Sequence, residues 1–245
     1  MATPSDWPRI SALGTDGFLV TFADSLSEPA NRAALAFRDA LDRAGWRGVE
    51  ETSTSLVSAY LRLDPRGSCH GEILEALRNL LARENWFEAP LPQGRRLWRV
   101  PAVFGTGLAP QLDEAAQAAG LTPEEAITSL TRATVRVQAI GFAPGQPYLG
   151  ELPRAWNIPR QTELTSQVPA GALAVAIRQL VLFPVPAPTG WRHIGQTCFR
   201  LFRPEADEPF VLRPGDEVQF DPVGAETLER MKADANGGAR AEVIR

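Results

Sequence analysis

Two periods of apolar residues organise the first third of the chain. ISAL (10–13) and FLVTF (18–22) alternate with period two around the turn GTDG, which predicts a β-hairpin. From Ala30 to Ala44 the period changes: Ala33, Ala34, Phe37, Ala40 and Leu41 recur on one helical face. Ser27 and Pro29 mark the start of that helix and Gly45 its stop. SLVSAYLRLDP (55–65) alternates again as a strand, and Ile73, Leu74, Leu77, Leu80 and Leu81 mark a second amphipathic helix after Ser68. A ferredoxin-like α+β unit follows if WRGVEE or RRLWRV supplies a further strand.

EAPLPQG interrupts the pattern and sets a domain boundary near Pro90. Two short helices come next. Leu112 to Ala119 stops at Gly120, and Thr122 with Glu125 forms a capping box with Pro123 in the first turn. From Val135 onward the pattern is short strands between turns: VRVQAI, ALAVAI, LVLF, CFRLF, FVL and EVQF, the signature of a barrel or sandwich. After Pro222 we expect one short helix and a flexible, Gly-rich end. The expected organisation is therefore a domain over 1–90, a second over 91–223 and a short tail over 224–245.

Within the second domain, residues 141–197 alternate fixed turns with apolar strands, and aromatic residues stand beside the turns. Phe142, Tyr148 and Trp191 are candidates for a pocket wall, and the loops at Gly145, Gly171 and Gly190 for shaping it. Backbone donors at Gly141, Gly171 and Gly190 are alternatives to plain turn requirements. Neither GxxxxGK[ST] nor GxGxxG occurs, so no familiar nucleotide-binding loop is present. His193 is the one imidazole in this run and is read either as a general base or substrate contact, or as a strand histidine beside a tryptophan. The carboxylates Glu151, Glu163, Asp216 and Asp221 form no evident acid and base pair, and Asp216 reads as a turn residue.

A net charge of −4 from interspersed acids and bases gives no face able to neutralise a run of phosphates, so no nucleic-acid partner is expected. No apolar stretch reaches the roughly 20 residues of a membrane span and MATPSDWPRI is unlike a leader, which places the protein in the cytoplasm. Cys69, Cys198, His70 and His193 are too few and too scattered for a zinc cage, so no metal site is expected. Cys69, at the start of a helix, is either a thiol of lowered pKa or a small buried hydrophobe.

Eight islands in order, GFAPG at Gly141, YL at Tyr148, PR at Pro159, VPAG at Val168, GW at Gly190, IGQT at Ile194, LFRP at Leu201 and PGDEVQF at Pro214, resemble the bacterial allophanate hydrolase subunit 1 family. That family also takes in the B-type subunit of ATP-dependent 5-oxoprolinase, the sporulation-kinase inhibitors and half of the urea carboxylase carboxyltransferase domain. The resemblance covers nearly the whole chain, most specifically from Val100 to Phe220. It implies a cyclophilin-like β-barrel after the ferredoxin-like domain, and a subunit of an enzyme acting on a small amide or urea with a subunit 2/C type partner. ATP with magnesium, or biotin, would belong to the assembled complex and not to this chain. Such reactions build negative charge on an amide oxygen, and Arg160 in IPRQTE is the candidate cation for it. Departures from the family pattern are Gln146 for an aromatic, Leu164 and Thr165 for a second PR pair, Ala172 for serine, Thr189 for glycine and FGTGLAPQL for YGG and GPDL. They keep open a diverged, non-catalytic subunit, and the inhibitor relatives keep open a protein that binds a sensor kinase.

Overall fold

The computed structural model describes residues 7–66 and 70–244, so Cys69 lies outside the described residues. Two compact units divide the chain between Gln93 and Gly94.

In the amino-terminal unit, β1 (Arg9–Leu13) and β2 (Gly17–Thr21) form the expected hairpin, with Leu13 opposite Gly17. Helix α1 (Glu28–Ala44) has Pro29 in its first turn and ends where Gly45 turns left-handed and its N–H bonds the Leu41 carbonyl. β3 (Val49–Ser55), β4 (Ser58–Leu63) and α2 (His70–Leu81) complete the unit. The strands form one antiparallel sheet in the order β1-β2-β4-β3. The run β2-α1-β3-β4-α2 matches the first five elements of a ferredoxin-like unit. The place beside β2 is filled by β1, from the start of the chain. WRGVEE opens β3, whereas RRLWRV belongs to the other unit. Val20, Phe22, Ala33, Phe37, Leu61, Leu63 and Leu77 are fully buried in one apolar core, where Trp86 meets Phe37 edge-on at 5.0 Å.

The second unit opens with β5 (Arg96–Phe104), α3 (Leu112–Ala119) and α4 (Pro123–Arg132). The capping box forms as read: Thr122 Oγ1 accepts from Glu125 N–H, and Glu125 Oε2 accepts from Thr122 N–H. Then come β6 (Val135–Ile140), β7 (Pro147–Gly150), β8 (Thr165–Val168), β9 (Ala172–Ala176), β10 (Gln179–Leu182), β11 (Ala187–Thr189), β12 (Arg192–Gln196) and β13 (Glu217–Pro222). Seven of these strands run β12-β9-β10-β7-β6-β13-β5, and β5 closes the barrel on β12 through Phe104 opposite Gly195. β8 and β11 pair separately as a two-stranded ribbon.

Val100, Val137, Leu149, Leu173, Val175, Leu180, Ile194 and Phe220 belong to the main core. The other face of the same strands carries a second cluster, Ala172, Ala174, Ala176 and Val181 with Val168, Phe183, Ala187 and Trp191. β9 and β10 are thus buried on both faces, which is why ALAVAI reads as a continuous apolar run.

Three expectations change. CFRLF and FVL are not strands and share a single bridge, Phe202 to Phe210; Pro204 and Pro209 between them lack the N–H that a ladder needs. The Gly/Pro-rich run holds more strand than its pattern shows, because β7, β8, β11 and β12 are only three to five residues long. Nor do residues after Pro222 form a free tail. α5 (Ala225–Met231) leads to β14 (Arg240–Val243), which pairs with Arg96–Arg99 of β5 along the part of its edge that β12 leaves open.

Candidate functional site

Arg160, Gln161, Tyr148 and Trp191 come together around β12. Trp191 is buried, its ring edge-on to Tyr148 at 6.2 Å, and the Arg160 guanidinium lies 5.4 Å from the centre of that indole. The residues flanking Arg160 are held. The Pro159 carbonyl accepts from Arg192, whose guanidinium also pairs with Glu114 of α3 at 2.8 Å. Gln161 donates its backbone N–H to the Gly190 carbonyl at 2.7 Å and its side-chain amide to the Trp191 carbonyl at 3.1 Å and to Thr165 Oγ1 at 3.3 Å. Gln111 completes the frame, donating to Gln161 Oε1 at 2.6 Å and bonding both backbone groups of His193. Arg160 itself is exposed and has no carboxylate partner among the described residues. A fixed backbone thus presents an uncompensated cation stacked on an aromatic face, an arrangement suited to an anion or a developing oxyanion.

His193 and Gly171 belong to a second place on the barrel. Residues Pro169, Gly171, His193, Gln196, Thr197 and Lys232 are among those lining a cavity of about 660 Å³. Across the sheet, His193 stands opposite Ala174, Ala174 opposite Val181 and Val181 opposite Tyr148, so imidazole and phenol share a face but lie at opposite ends of a row. His193 is 5% exposed. Burial pushes its pKa below the usual imidazole value; Gly195 and Gln196 lie close enough to offset this in part, yet Nε2 completes no hydrogen bond to the protein. Cys198, at the same cavity, is a thiol whose pKa burial raises.

The glycines serve structure. Gly171 has φ +78°, and a β-carbon there would collide with the Thr197 carbonyl oxygen. Its N–H bonds the Phe183 carbonyl and its own carbonyl accepts from Thr197, so it offers no donor to a ligand. Gly141 N–H is likewise taken by the Gln146 carbonyl. These two residues therefore do not act as anion-binding donors. Gly145, at φ +76°, lets the backbone of Leu201 approach, and Gly190 packs against Leu164 and Gln161. Phe142 does not join the pocket wall: it is 77% exposed, outside every buried cluster, on a strained φ of +74°.

Two departures find a use. Thr189 Oγ1 accepts from Trp191 N–H at 3.0 Å, and Thr165 receives Gln161. Ala172 is fully buried in the apolar cluster. Asp216 makes its expected turn bond from Arg213 N–H but is also a buried ion-pair partner of Arg96 at 2.5 Å. Glu151 pairs with Arg178 at 3.1 Å, away from any acid and base pairing. Gln111 and Gln161 are the framing residues that sequence reading missed. Side-chain amides carry no periodic signature; Gln161 merely follows the PR island, and Gln111 stands in FGTGLAPQL, read only as a departure.

Among the described residues no group of three His, Cys, Asp or Glu side chains is placed to hold a metal ion, and no helix is long and apolar enough to cross a membrane.

Comparison with known proteins agrees with this architecture. The B-type subunit of 5-oxoprolinase from Bacillus subtilis (strain 168) is 29% identical over 236 residues, covering 93% of this chain and 98% of its own. That of Escherichia coli O157:H7 is 36% identical over 151 residues, 61% of this chain and 68% of its own. The crystal structure of TTHA0988 superposes with a TM-score of 0.70 at 34% identity, covering 85% of this chain but only 40% of that longer one. The sequence profile of the carboxyltransferase domain, subdomain C and D, matches residues 8–212, from the sheet of the first unit through six of the seven barrel strands. This chain belongs to that family.

Proposed function

We propose that this chain is the B-type subunit of an ATP-dependent 5-oxoprolinase and works with a subunit 2/C type chain on a small amide. The observation that carries the reading is the end-to-end match to a protein of that name, with 98% of the Bacillus subtilis protein covered. Two features of the chain support it. Its barrel presents Arg160 on Trp191 and, among the described residues, no carboxylate neutralises it and no nucleophile, base and orienter set stands beside it. TTHA0988 joins the same fold to further polypeptide, as expected if the remainder of the active site comes here from a second chain.

On this reading Arg160 binds a carboxylate or meets the charge that develops on the amide oxygen, while Gln111, Gln161 and Arg192 act as positioning residues for it. The test is coexpression with the neighbouring subunit 2/C type chain, copurification, and ATP-dependent release of glutamate from 5-oxoproline. Turnover by the complex and by neither chain alone is expected. Arg160→Ala should lower kcat/KM about 100-fold while the complex still forms. A stable complex inactive on 5-oxoproline would replace that substrate with another amide, and activity of this chain alone would overturn the division of labour.

A further inference from the structure

Two large apolar side chains stand in solvent beside the Arg160 segment. Ile177, at the tip of the β9–β10 hairpin, is 43% exposed, and Leu164, just before β8, is 70% exposed. Both are tied to that segment. Ile177 donates its N–H to the Ile158 carbonyl at 2.8 Å, and Leu164 packs against Gly190, whose carbonyl accepts from Gln161 N–H. Neither belongs to a buried cluster.

The backbone at Ile177 disfavours the residue that occupies it. The hairpin turn consists of Ile177 and Arg178, with φ +45° and +63°, values that glycine and asparagine adopt readily and that a β-branched side chain resists. Arg178 uses its position: its Nε donates to the Leu152 carbonyl at 3.0 Å and its guanidinium pairs with Glu151 at 3.1 Å. Ile177 gives the fold only its backbone. Strain kept for a side chain that the fold leaves in solvent points to a contact outside the chain.

We propose that Ile177 and Leu164 form the docking surface for the subunit 2/C type chain, which seats across both and shuts the Arg160 cation off from water. The choice of occupant rests on the function proposed above and on charge. A chain that completes the chemistry at Arg160 has to pass these two side chains to reach it. A second copy of this chain brings no group that the first lacks, and a two-fold contact centred here would set Arg160 against its own copy, like charge against like. Docking also makes the cation more effective, because apolar side chains replace water around it and the attraction for a developing negative charge is less screened.

The test compares the dissociation constant of the complex between the full-length chain and the subunit 2/C type chain with the urea midpoint of each variant alone. Ile177→Asn suits the positive φ, so its midpoint should hold level or rise while the dissociation constant rises about tenfold or more. Leu164→Ser should raise the constant about fivefold with the midpoint unchanged. Val243→Ser, at an apolar residue of β14 that is equally exposed, should leave the constant where it was. Wild-type affinity in both the Ile177 and Leu164 variants, or equal weakening by the Val243 variant, overturns the proposal. Weakened self-association with partner affinity intact overturns it too and gives the surface to a second copy. Weakened binding in a complex that is inactive on 5-oxoproline keeps the surface and sinks the 5-oxoprolinase reading, turnover with wild-type affinity in every variant does the reverse, and the absence of any wild-type complex overturns both.

Discussion

The two units solve the burial problem differently. In the amino-terminal unit the apolar residues meet in one core, and of the buried polar side chains among the described residues only Asn31 lies there, donating to the Leu56 carbonyl. The barrel unit buries Gln138, Gln146, Gln179, Thr189, His193, Thr197 and Asp216. Buried polar groups cost stability unless matched, so a region that keeps many of them is specified by more than packing. That contrast separates the two units by what holds each together, and substitutions at corresponding kinds of position in the two units test it.

Glycine gives the largest expected difference. Gly45 and Gly171 both have positive φ, +55° and +78°. A β-carbon at Gly45 meets nothing within 4 Å, so Gly45→Ala should cost only the backbone strain, about 1 kcal/mol. At Gly171 it collides with the Thr197 carbonyl, and backbone cannot swing aside as a flexible side chain does. Gly171→Ala should cost about 4 kcal/mol or more, read as a lower urea midpoint. Equal midpoints for the two variants would mean that the Gly171 loop is far softer than its hydrogen bonds indicate.

Ion pairs come next. Asp216, 2% exposed, accepts from the side chain and backbone of Arg96 and from the Arg213 N–H. Asp216→Asn leaves a half-buried guanidinium without its carboxylate and should cost about 3 kcal/mol. Arg62 with Glu50 and Glu51 in the other unit is an exposed group of charges, and Glu51→Gln should leave the urea midpoint unchanged. A smaller effect separates the units by pH. The unfolded chain protonates His193 near about 6.5, but the folded barrel holds the proton off to lower pH because burial disfavours the charged ring. Its contribution is therefore complete above that unfolded value and is lost as pH falls toward the folded one. His193→Phe should flatten the acid side of the stability profile, and an unchanged slope would place the ring in solvent.

How much of this is legible in the sequence depends on whether a residue acts through its period or through its partners. The α1 face, the Gly45 stop and the Thr122 capping box are local, and the sequence carries them in full. Ordered motifs announce the barrel, while β7, β8, β11 and β12 are too short to show a period. Arg160 and Trp191, well apart in sequence, meet as a pair, but Phe142 does not join Tyr148, since a motif fixes a loop without fixing which way its side chain faces. Gln111 and Gln161 are invisible in the sequence because their partners, His193 and Trp191, are brought to them only when the barrel closes.

The smallest effect concerns Thr189, in the PTGW turn before Trp191. Its Oγ1 accepts the backbone N–H of Trp191, the residue on which Arg160 rests. Thr189→Gly removes that bond beside a buried indole and frees the turn, two effects in the same direction, and should cost about 1 kcal/mol. Thr189→Ser keeps the hydroxyl and should cost less than half as much. If the hydroxyl serves the site as well as the fold, the glycine variant of the assembled enzyme will show a raised KM with kcat little changed, because a loosened Trp191 weakens the ground-state hold on the anion before it affects the reacting bond. A fall in stability with unchanged kinetic constants would confine Thr189 to the turn.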